Sequence, residues 1–303
     1  MQLLSRAAGR RGYTMVELMI ALIMASVLCF AVLKIFMTTQ RFSDALAQKV
    51  DVQQNLRAAM AILPSDLRQL DAADGDIKAM SATSITIRAM RQVGVVCTVP
   101  IPALPAGPFP GVKTIVVRRP LYSGSLFQAP NGVNYDSVFV WNEGNSAIRT
   151  DDGWWPGRVT LVSSAVNCLD GSPGQQLTVS VNAPVPNLAG GVPLGAPVRG
   201  FETVTYSLIQ AADTRWYLNI TTNNGSGTTG PTPMIGPLAG GTGVAFTYFN
   251  SAGAVTAVPA QVAQIGLVIR GQSLRQVHLP GPMVGFKAES LATTITLRNN
   301  PRF

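Results

Sequence analysis

The sequence is poor in the residues that build most enzyme and metal centres. Its 303 residues include one histidine, His278, and three cysteines, which is too few nitrogen and sulfur ligands for a transition-metal centre. His278 precedes Leu279-Pro280, a setting typical of a strand end or turn. The sequence has neither a phosphate-binding loop of the Walker type nor the nucleophile elbow of hydrolases. We therefore expect no cofactor, no metal and no enzymatic activity.

Two acidic turns are the remaining candidates for a cation site. Asp71, Asp74 and Asp76 surround Gly75, and Asp151-Asp152-Gly153 forms the second turn. Neither has the complete spaced loop of a calcium-binding hand. We interpret both as solvated turns, and calcium binding through their oxygens stays the alternative.

Charged residues are scarce as well, at 13% of the chain, but the formal net charge is +8. Arg6, Arg10 and Arg11 lie in the first twelve residues, and without that segment 20 basic and 15 acidic residues would leave +5. Local basic spots such as Arg118-Arg119 occur, but no long basic run carries interleaved aromatic residues. We therefore do not expect nucleic acid as a partner.

A long apolar run near the N-terminus is what the sequence does contain. From Tyr13 to Leu33 there are 21 residues, of which Glu17 alone is charged, and a helix of that length measures about 31 Å and spans a bilayer. The arginines before it and Lys34 after it favour a cytoplasmic N-terminus. A signal peptide has a shorter apolar core, of about 7 to 15 residues. An ordinary single-span anchor is the stronger alternative, but a carboxylate in the apolar region costs about 2.5 to 3.5 kcal/mol and usually has a partner.

The stretch Gly12-Tyr13-Thr14-Met15-Val16-Glu17-Leu18 resembles the class III signal of type IV pilins and type II secretion pseudopilins. The resemblance implies that prepilin peptidase cuts after Gly12 and methylates the new N-terminal residue, Tyr13, where the family usually has phenylalanine. Glu17 becomes the fifth mature residue. It would pair with the terminal amine of a neighbouring subunit, so that both charges are neutralised on assembly.

The helix is expected to continue beyond the apolar run. Apolar residues recur at intervals of three or four from Phe42 to Leu70, with polar residues between them, which predicts an amphipathic helix. Pro64 is expected to kink or interrupt this helix, with Ser65-Asp66 available to restart it.

Beyond residue 80, short alternating runs predict a β-rich head of roughly 230 residues, ample for one core or for two small sheets. The segments at Ala183 to Gly200 and Asn223 to Gly243 are rich in Gly and Pro and are predicted as surface loops. The predicted strands are Ser84 to Ala89, Thr114 to Arg118, Ser137 to Trp141, Arg158 to Val162, Gln176 to Val181, Thr203 to Ile209, Trp216 to Thr221, Val244 to Phe249, Ile265 to Arg270 and Thr293 to Arg298.

The order of spanning helix, amphipathic helix and strand-rich body resembles minor pilins of the PilW type and J-type pseudopilins. This implies an α+β, pilin-like fold, with a leader at 1–12, a transmembrane part at 13–33, an amphipathic periplasmic part at 34–72 and a mainly antiparallel periplasmic head at 73–303. The large head favours a minor subunit near the filament tip, and the main interpretation is a minor pilin that initiates or caps assembly of a type IV pilus. Implied partners are prepilin peptidase, other pilins or pseudopilins and an inner-membrane assembly platform. The alternatives are a J-type pseudopilin, a membrane-anchored periplasmic binding module and, least favoured, an anchored enzyme.

Two pairs of residues in the predicted head are candidates for a specific role, a pair of cysteines and a pair of tryptophans. Cys97 and Cys168 both fall outside the cytoplasm on this reading, where disulfides persist, so we predict a bridge, with two unpaired core thiols as the alternative. Cys29 lies in the apolar run and is interpreted as a small buried hydrophobe. Trp154-Trp155 is a candidate recognition patch, with core packing of one ring as the alternative.

Overall fold

The structure, a computed structural model, describes residues 13–98, 111–119, 127, 136–143, 147, 153–181, 192–224, 227–278 and 283–298. Within these ranges the chain forms one long helix, α1, followed by strands and two short 3₁₀ turns at Gly240–Thr242 and Pro259–Gln261. The elements are α1 Met15–Arg68, β1 Ile77–Met80, β2 Ser84–Thr98, β3 Gly111–Arg118, β4 Ser137–Asn142, β5 Gly153–Asn167, β6 Pro173–Val181, β7 Pro197–Gln210, β8 Trp216–Asn223, β9 Thr228–Leu238, β10 Val244–Phe249, β11 Gln264–His278 and β12 Val284–Thr296.

The chain divides into two compact units, the first comprising Met1–Asp51 and Ser273–Lys287, the second Val52–Gln272 and Ala288–Phe303. In the first unit, α1 runs with its apolar surface exposed. The side-chain oxygen of Gln48 accepts hydrogen bonds from the backbone N–H groups of Leu274, at 3.0 Å, and Arg275, at 3.4 Å. This contact fastens the strand segment that starts at Ser273 to the side of the helix.

In the second unit the rest of α1 packs on a sheet. Val52, Leu56, Ala59, Leu63 and Leu67 are all buried, at the spacing of three or four residues that places side chains on one face of a helix. That face contacts apolar side chains from β1, β2, β7, β8, β10 and β11 in a single core, which we call the helix–sheet core. The helix is thus joined to the head by burial of apolar surface.

Six strands of the second unit close into a ring and form a separate core. The antiparallel pairings run from β2 to β3, β6, β5, β4 and β7 and back to β2. The ring encloses Val96, Val117, Val138, Leu177 and Val198 among other buried side chains. We call this closed six-stranded part the barrel and its interior the barrel core. Closure removes free strand edges, which otherwise invite pairing with other chains.

The two long strands β2 and β7 belong to both cores. Their ladder shifts register between Met90 and Gln92, so that Arg91 is the extra residue of a β-bulge. Before the bulge the odd residues Ile85 and Ile87 point into the helix–sheet core, and after it the even residue Val96 points into the barrel core. The bulge therefore keeps both cores on the same side of the strand pair.

The coarse fold class predicted from the sequence, α+β with a long apolar N-terminal helix and a large antiparallel head, is confirmed. Two finer predictions are corrected. Of the two outcomes expected at Pro64, interruption does not occur: α1 continues through this residue, which is buried within the helix, and the apolar contacts around it offset the backbone hydrogen bond that proline cannot donate. The segment from Asn223 to Gly243 holds β9, whose pairing with β8 is broken by several register shifts that accommodate its glycines and prolines.

Candidate functional site

The start of α1 is the first candidate site. The helix begins at Met15, three residues after Gly12, which lies outside the described residues. Thr14 is the N-cap: its Oγ1 accepts a hydrogen bond from the backbone N–H of Glu17 at 3.2 Å. Tyr13 precedes the cap and is 81% exposed. Tyr13 is therefore an accessible residue directly before the helix cap.

Glu17 sits in the first turn of α1, where a negative charge interacts favourably with the helix dipole. Its side chain is exposed, and no residue in the described ranges forms a hydrogen bond or ion pair with its carboxylate. Its neighbours Val16 and Leu18 are exposed apolar residues. The arrangement places on an apolar surface a carboxylate that no residue of the described chain pairs with.

That apolar surface is long and continuous. Every large apolar side chain from Met15 to Met37 is between 50% and 82% exposed. The helix is the one element of the described chain that is long and apolar enough to cross a membrane. Apolar surfaces of this extent mark contacts with lipid or with other proteins. Cys29 lies on this surface as an exposed free thiol.

The two cysteines of the head are joined. Cys97 and Cys168 form a disulfide with Cα atoms 5.2 Å apart, between residues separated by 71 positions. Both are buried beside Val116 and next to the partly buried Val166. The bridge ties the end of β2 to the turn that follows β5, at one end of the barrel.

A pocket of about 500 Å³ on the outside of the barrel is the second candidate site. It lies on the opposite side of β4 and β7 from the barrel core, because Phe139 and Arg199 alternate with the buried Val138, Val140 and Val198. The partly buried Trp141 lines the pocket and also packs against the barrel core. The pocket is lined by Asp74, Asp76, Arg88, Phe139, Trp141, Gly153, Trp154 and Arg199. We call it the aromatic pocket.

The aromatic rings in and beside the aromatic pocket contact one another, and guanidinium groups lie over two of them. Phe139 stacks on Phe201 at a centroid distance of 4.7 Å, and Trp141 meets Trp154 edge-on at 5.2 Å. The guanidinium of Arg88 lies 4.7 Å from the centre of the Phe139 ring, a cation–π geometry. The pocket wall is therefore an aromatic surface with fixed cationic groups.

Carboxylates from the turn before β1 complete the pocket. Arg88 Nε lies 3.3 Å from Asp76 Oδ1, and Arg88 also donates to the backbone carbonyl of Asp74. Burial raises the pKa of Asp76, although the positive charge of Arg88 acts to lower it. Burial and the nearby Asp71 carboxylate likewise raise the pKa of Asp74.

The residues brought together differ from those the sequence suggested. Of the first acidic turn, Asp74 and Asp76 line the aromatic pocket, while Asp71 Oδ1 accepts hydrogen bonds from the backbone N–H groups of Ala73 and Asp74. Among the described residues no three acids, histidines or cysteines form a group that could hold a metal ion. Asp151 and Asp152 lie outside the described ranges, and of the neighbouring pair Trp154 lines the pocket whereas Trp155 is buried in the barrel core.

Sequence reasoning missed Arg199, Phe139 and Trp141 as pocket residues. The signal that could have found them is an alternation in which the solvent-facing positions of a strand are aromatic or cationic rather than small and polar. That pattern shows a half-buried outer face, but it cannot tell which strands lie side by side.

Comparisons with known proteins give no relative. No family model, no curated protein and no solved structure matches this chain.

Proposed function

We propose that this chain is a subunit of a filament of the type IV pilin kind, a minor pilin that initiates or caps assembly. In this proposal prepilin peptidase removes residues 1–12, Tyr13 is methylated, and α1 is held in the inner membrane with the head in the periplasm. Incorporation into the filament then buries α1 among the helices of neighbouring subunits.

The observation that carries the proposal is the carboxylate of Glu17, which has no partner among the described residues and lies on an exposed apolar helix that starts three residues after Gly12. A carboxylate buried in an apolar environment needs a cation within hydrogen-bonding distance. Cleavage after Gly12 creates a cationic amine at Tyr13. Pairing between the amine of one subunit and Glu17 of the next would satisfy both charges only when the helices pack in register.

The size of the head supports a position at the end of the filament. The described residues of the second unit form two large hydrophobic cores and a small cluster around the disulfide, and a bulky head would collide with its neighbours at the short axial spacing of packed helices. A subunit at the tip has fewer neighbours. Membership of a type II secretion pseudopilus, as its J-type subunit, is the alternative within the same family.

Mass spectrometry of the N-terminal peptide, from protein purified from its native host, tests the processing. We expect a chain that starts at methylated Tyr13, because Gly12 and Glu17 have the spacing that the class III signal requires. Gly12→Glu should block the cut. An intact Met1 start in cells with active prepilin peptidase would contradict the proposal and favour a membrane-anchored binding module.

Three substitutions in the first turn separate charge pairing from helix capping. Glu17→Ala and Glu17→Gln both remove the charge, and we expect normal insertion in the membrane but about tenfold less protein in sheared filaments, because the neighbouring amine loses its partner. Thr14→Ala removes the cap and leaves the charge, so it is the matched control and should assemble nearly normally. Normal incorporation of Glu17→Gln would rule out the pairing.

A deletion strain separates the two filament systems. Loss of surface pili with normal export of secreted enzymes assigns the chain to a pilus. The reverse result assigns it to a secretion pseudopilus, and the charge-pairing argument is the same for both.

A further inference from the structure

We propose that the aromatic pocket binds an uncharged sugar residue of a polysaccharide. This inference does not depend on filament assembly, because every lining residue belongs to the second unit. It gives the head a ligand-binding role in addition to the role proposed for α1.

The first argument is the shape and surface of the pocket. Its volume of about 500 Å³ is within the range of sites for small ligands. Trp141 and Trp154 are both half-buried, so part of each indole faces the pocket. Indole faces offer large rigid apolar area, which suits the C–H face of a pyranose ring.

The second argument is that the polar groups of the pocket are held in place. Arg88 is fixed by Asp76, by the carbonyl of Asp74 and by the Phe139 ring. The guanidinium of Arg199 lies 3.9 Å from the centre of the Trp154 ring. A planar guanidinium stacked on a ring keeps its N–H donors at the ring edge, where they are available to a ligand.

The third argument is charge. Two guanidinium groups and two carboxylates line the pocket, so their formal charges cancel. The carboxylates repel a phosphate or uronate chain, and the guanidinium groups repel a basic peptide. Sugar hydroxyls both donate and accept hydrogen bonds, so they can bind the carboxylates and guanidinium groups at once.

Arg199 distinguishes a ligand site from a structural cluster. Arg88, Arg91 and Arg118 all form ion pairs with carboxylates. Arg199 stacks on the Trp154 ring and attracts the Asp74 and Asp76 carboxylates electrostatically, but it forms no ion pair with a carboxylate in the described ranges. A half-buried arginine in this arrangement has N–H donors left for a ligand. These donors point to a ligand that supplies oxygen atoms.

The test measures binding to the full chain in detergent by its tryptophan fluorescence, since two of the four tryptophans line the pocket. The probes are neutral tri- and tetrasaccharides of glucose, galactose, mannose and N-acetylglucosamine, together with trigalacturonate and a short oligothymidylate. We expect a neutral sugar to bind with a Kd below about 1 mM, with little dependence on salt.

Variants of the pocket locate the binding. Trp154→Ala should raise Kd about tenfold and Arg199→Ala about fivefold, from lost stacking and hydrogen bonds. Trp154→Phe, which keeps a ring and is the milder change, should raise Kd about threefold or less. Arg215→Ala is the matched control, because Arg215 is an exposed arginine in a turn outside the pocket, and its Kd should not change.

Three results would overturn the proposal. One is no binding of any neutral sugar up to about 10 mM by a protein with a normal unfolding midpoint. Another is tighter binding of trigalacturonate or oligothymidylate that weakens steeply with salt, which would indicate an anion site. The third is sugar binding that Trp154→Phe, Trp154→Ala and Arg199→Ala all leave unchanged.

Discussion

At the scale of residues, one buried carboxylate links the helix to the sheet. Asp66, in the last turns of α1, accepts hydrogen bonds from Arg91 at 3.2 and 3.3 Å and from the Tyr206 hydroxyl at 2.7 Å. Arg91 also pairs with Glu202 at 3.4 Å. Arg91 lies on the same side of β2 as Ile85 and Ile87, which face the helix, and it is also the extra residue of the bulge.

Removing this carboxylate should destabilise the head. Asp66→Ala leaves the Tyr206 hydroxyl and one side of Arg91 without a partner, and we expect a loss of about 1 to 3 kcal/mol in the free energy of unfolding. Urea unfolding of the detergent-solubilised protein measures it. Asp44→Ala, an exposed acid on the same helix, is the control and should change stability little. Equal stability of both variants would show that the network contributes nothing.

Tyr206 makes the stability of the head depend on alkaline pH. Burial, and then the Asp66 carboxylate, raise the pKa of Tyr206 above its ordinary value of 10.0. The unfolded chain ionises this tyrosine first as pH rises, so its contribution is complete below about pH 10 and is lost at higher pH.

We expect Tyr206→Phe to lower stability by about 1 kcal/mol at about pH 8, where the hydrogen bond is lost. It should reduce the further loss of stability between about pH 10 and pH 11, since phenylalanine does not titrate. The measurement is the urea midpoint at each pH. Tyr248, whose pKa burial also raises, will keep part of the alkaline dependence in the variant. If the urea midpoint of the variant falls with pH as steeply as that of the unaltered protein, the assignment to Tyr206 is contradicted.

The sequence could not reveal this network. Asp66 lies 25 positions from Arg91 and 140 from Tyr206, and no local spacing relates residues that meet only after the sheet has formed. The importance of Glu17 could be predicted from the sequence, because the apolar residues around it are its neighbours along the chain. Arg199 was missed because its partner Trp154 comes from another strand.

At the scale of elements, α1 approaches β11 so closely that one position requires glycine. A Cβ atom at Gly271 would lie 2.9 Å from Val52 Cγ1 and 3.2 Å from Leu56 Cγ. Both side chains are buried, so neither has free space to move into.

Gly271→Ala should therefore push helix and strand apart, and we expect a loss of about 1 to 3 kcal/mol in unfolding free energy. The matched control is Gly227→Ala, where a Cβ would meet nothing within 4 Å. Thermal unfolding of the two variants in the same detergent gives the comparison. An equal midpoint for both would mean that the core adjusts without cost.

Alternation in the sequence located one stretch of each of the long strands β2, β5, β7 and β11 but not its full length. The predicted Ser84 to Ala89 is the first part of β2, which continues to Thr98. The bulge at Arg91 changes which residues face inward, so a pattern read with a strict period of two stops there. Barrel closure could not be predicted from the sequence, because it depends on which strands pair. The strand β2 pairs with β7 along most of its length and with β3 at its end.

At the scale of the whole molecule, the second unit contains two cores that share β2 and β7, and the disulfide lies beside only one of them. Cys97 and Cys168 flank the barrel, whereas the helix–sheet core contains no cysteine in the part of the chain that the structure describes. A bridge across a separation of 71 residues is expected to contribute about 2 to 4 kcal/mol.

Reduction should therefore loosen the barrel more than the helix–sheet core. In hydrogen exchange of the full chain we expect faster exchange in β3 and β6 after treatment with a reductant, and nearly unchanged exchange in β8 and β10, because local unfolding follows the contacts that are lost. The double variant Cys97→Ser/Cys168→Ser is the control: it should match the reduced protein and not respond to reductant. Equal acceleration in all four strands would show that the shared strands β2 and β7 couple the two cores into one cooperative unit.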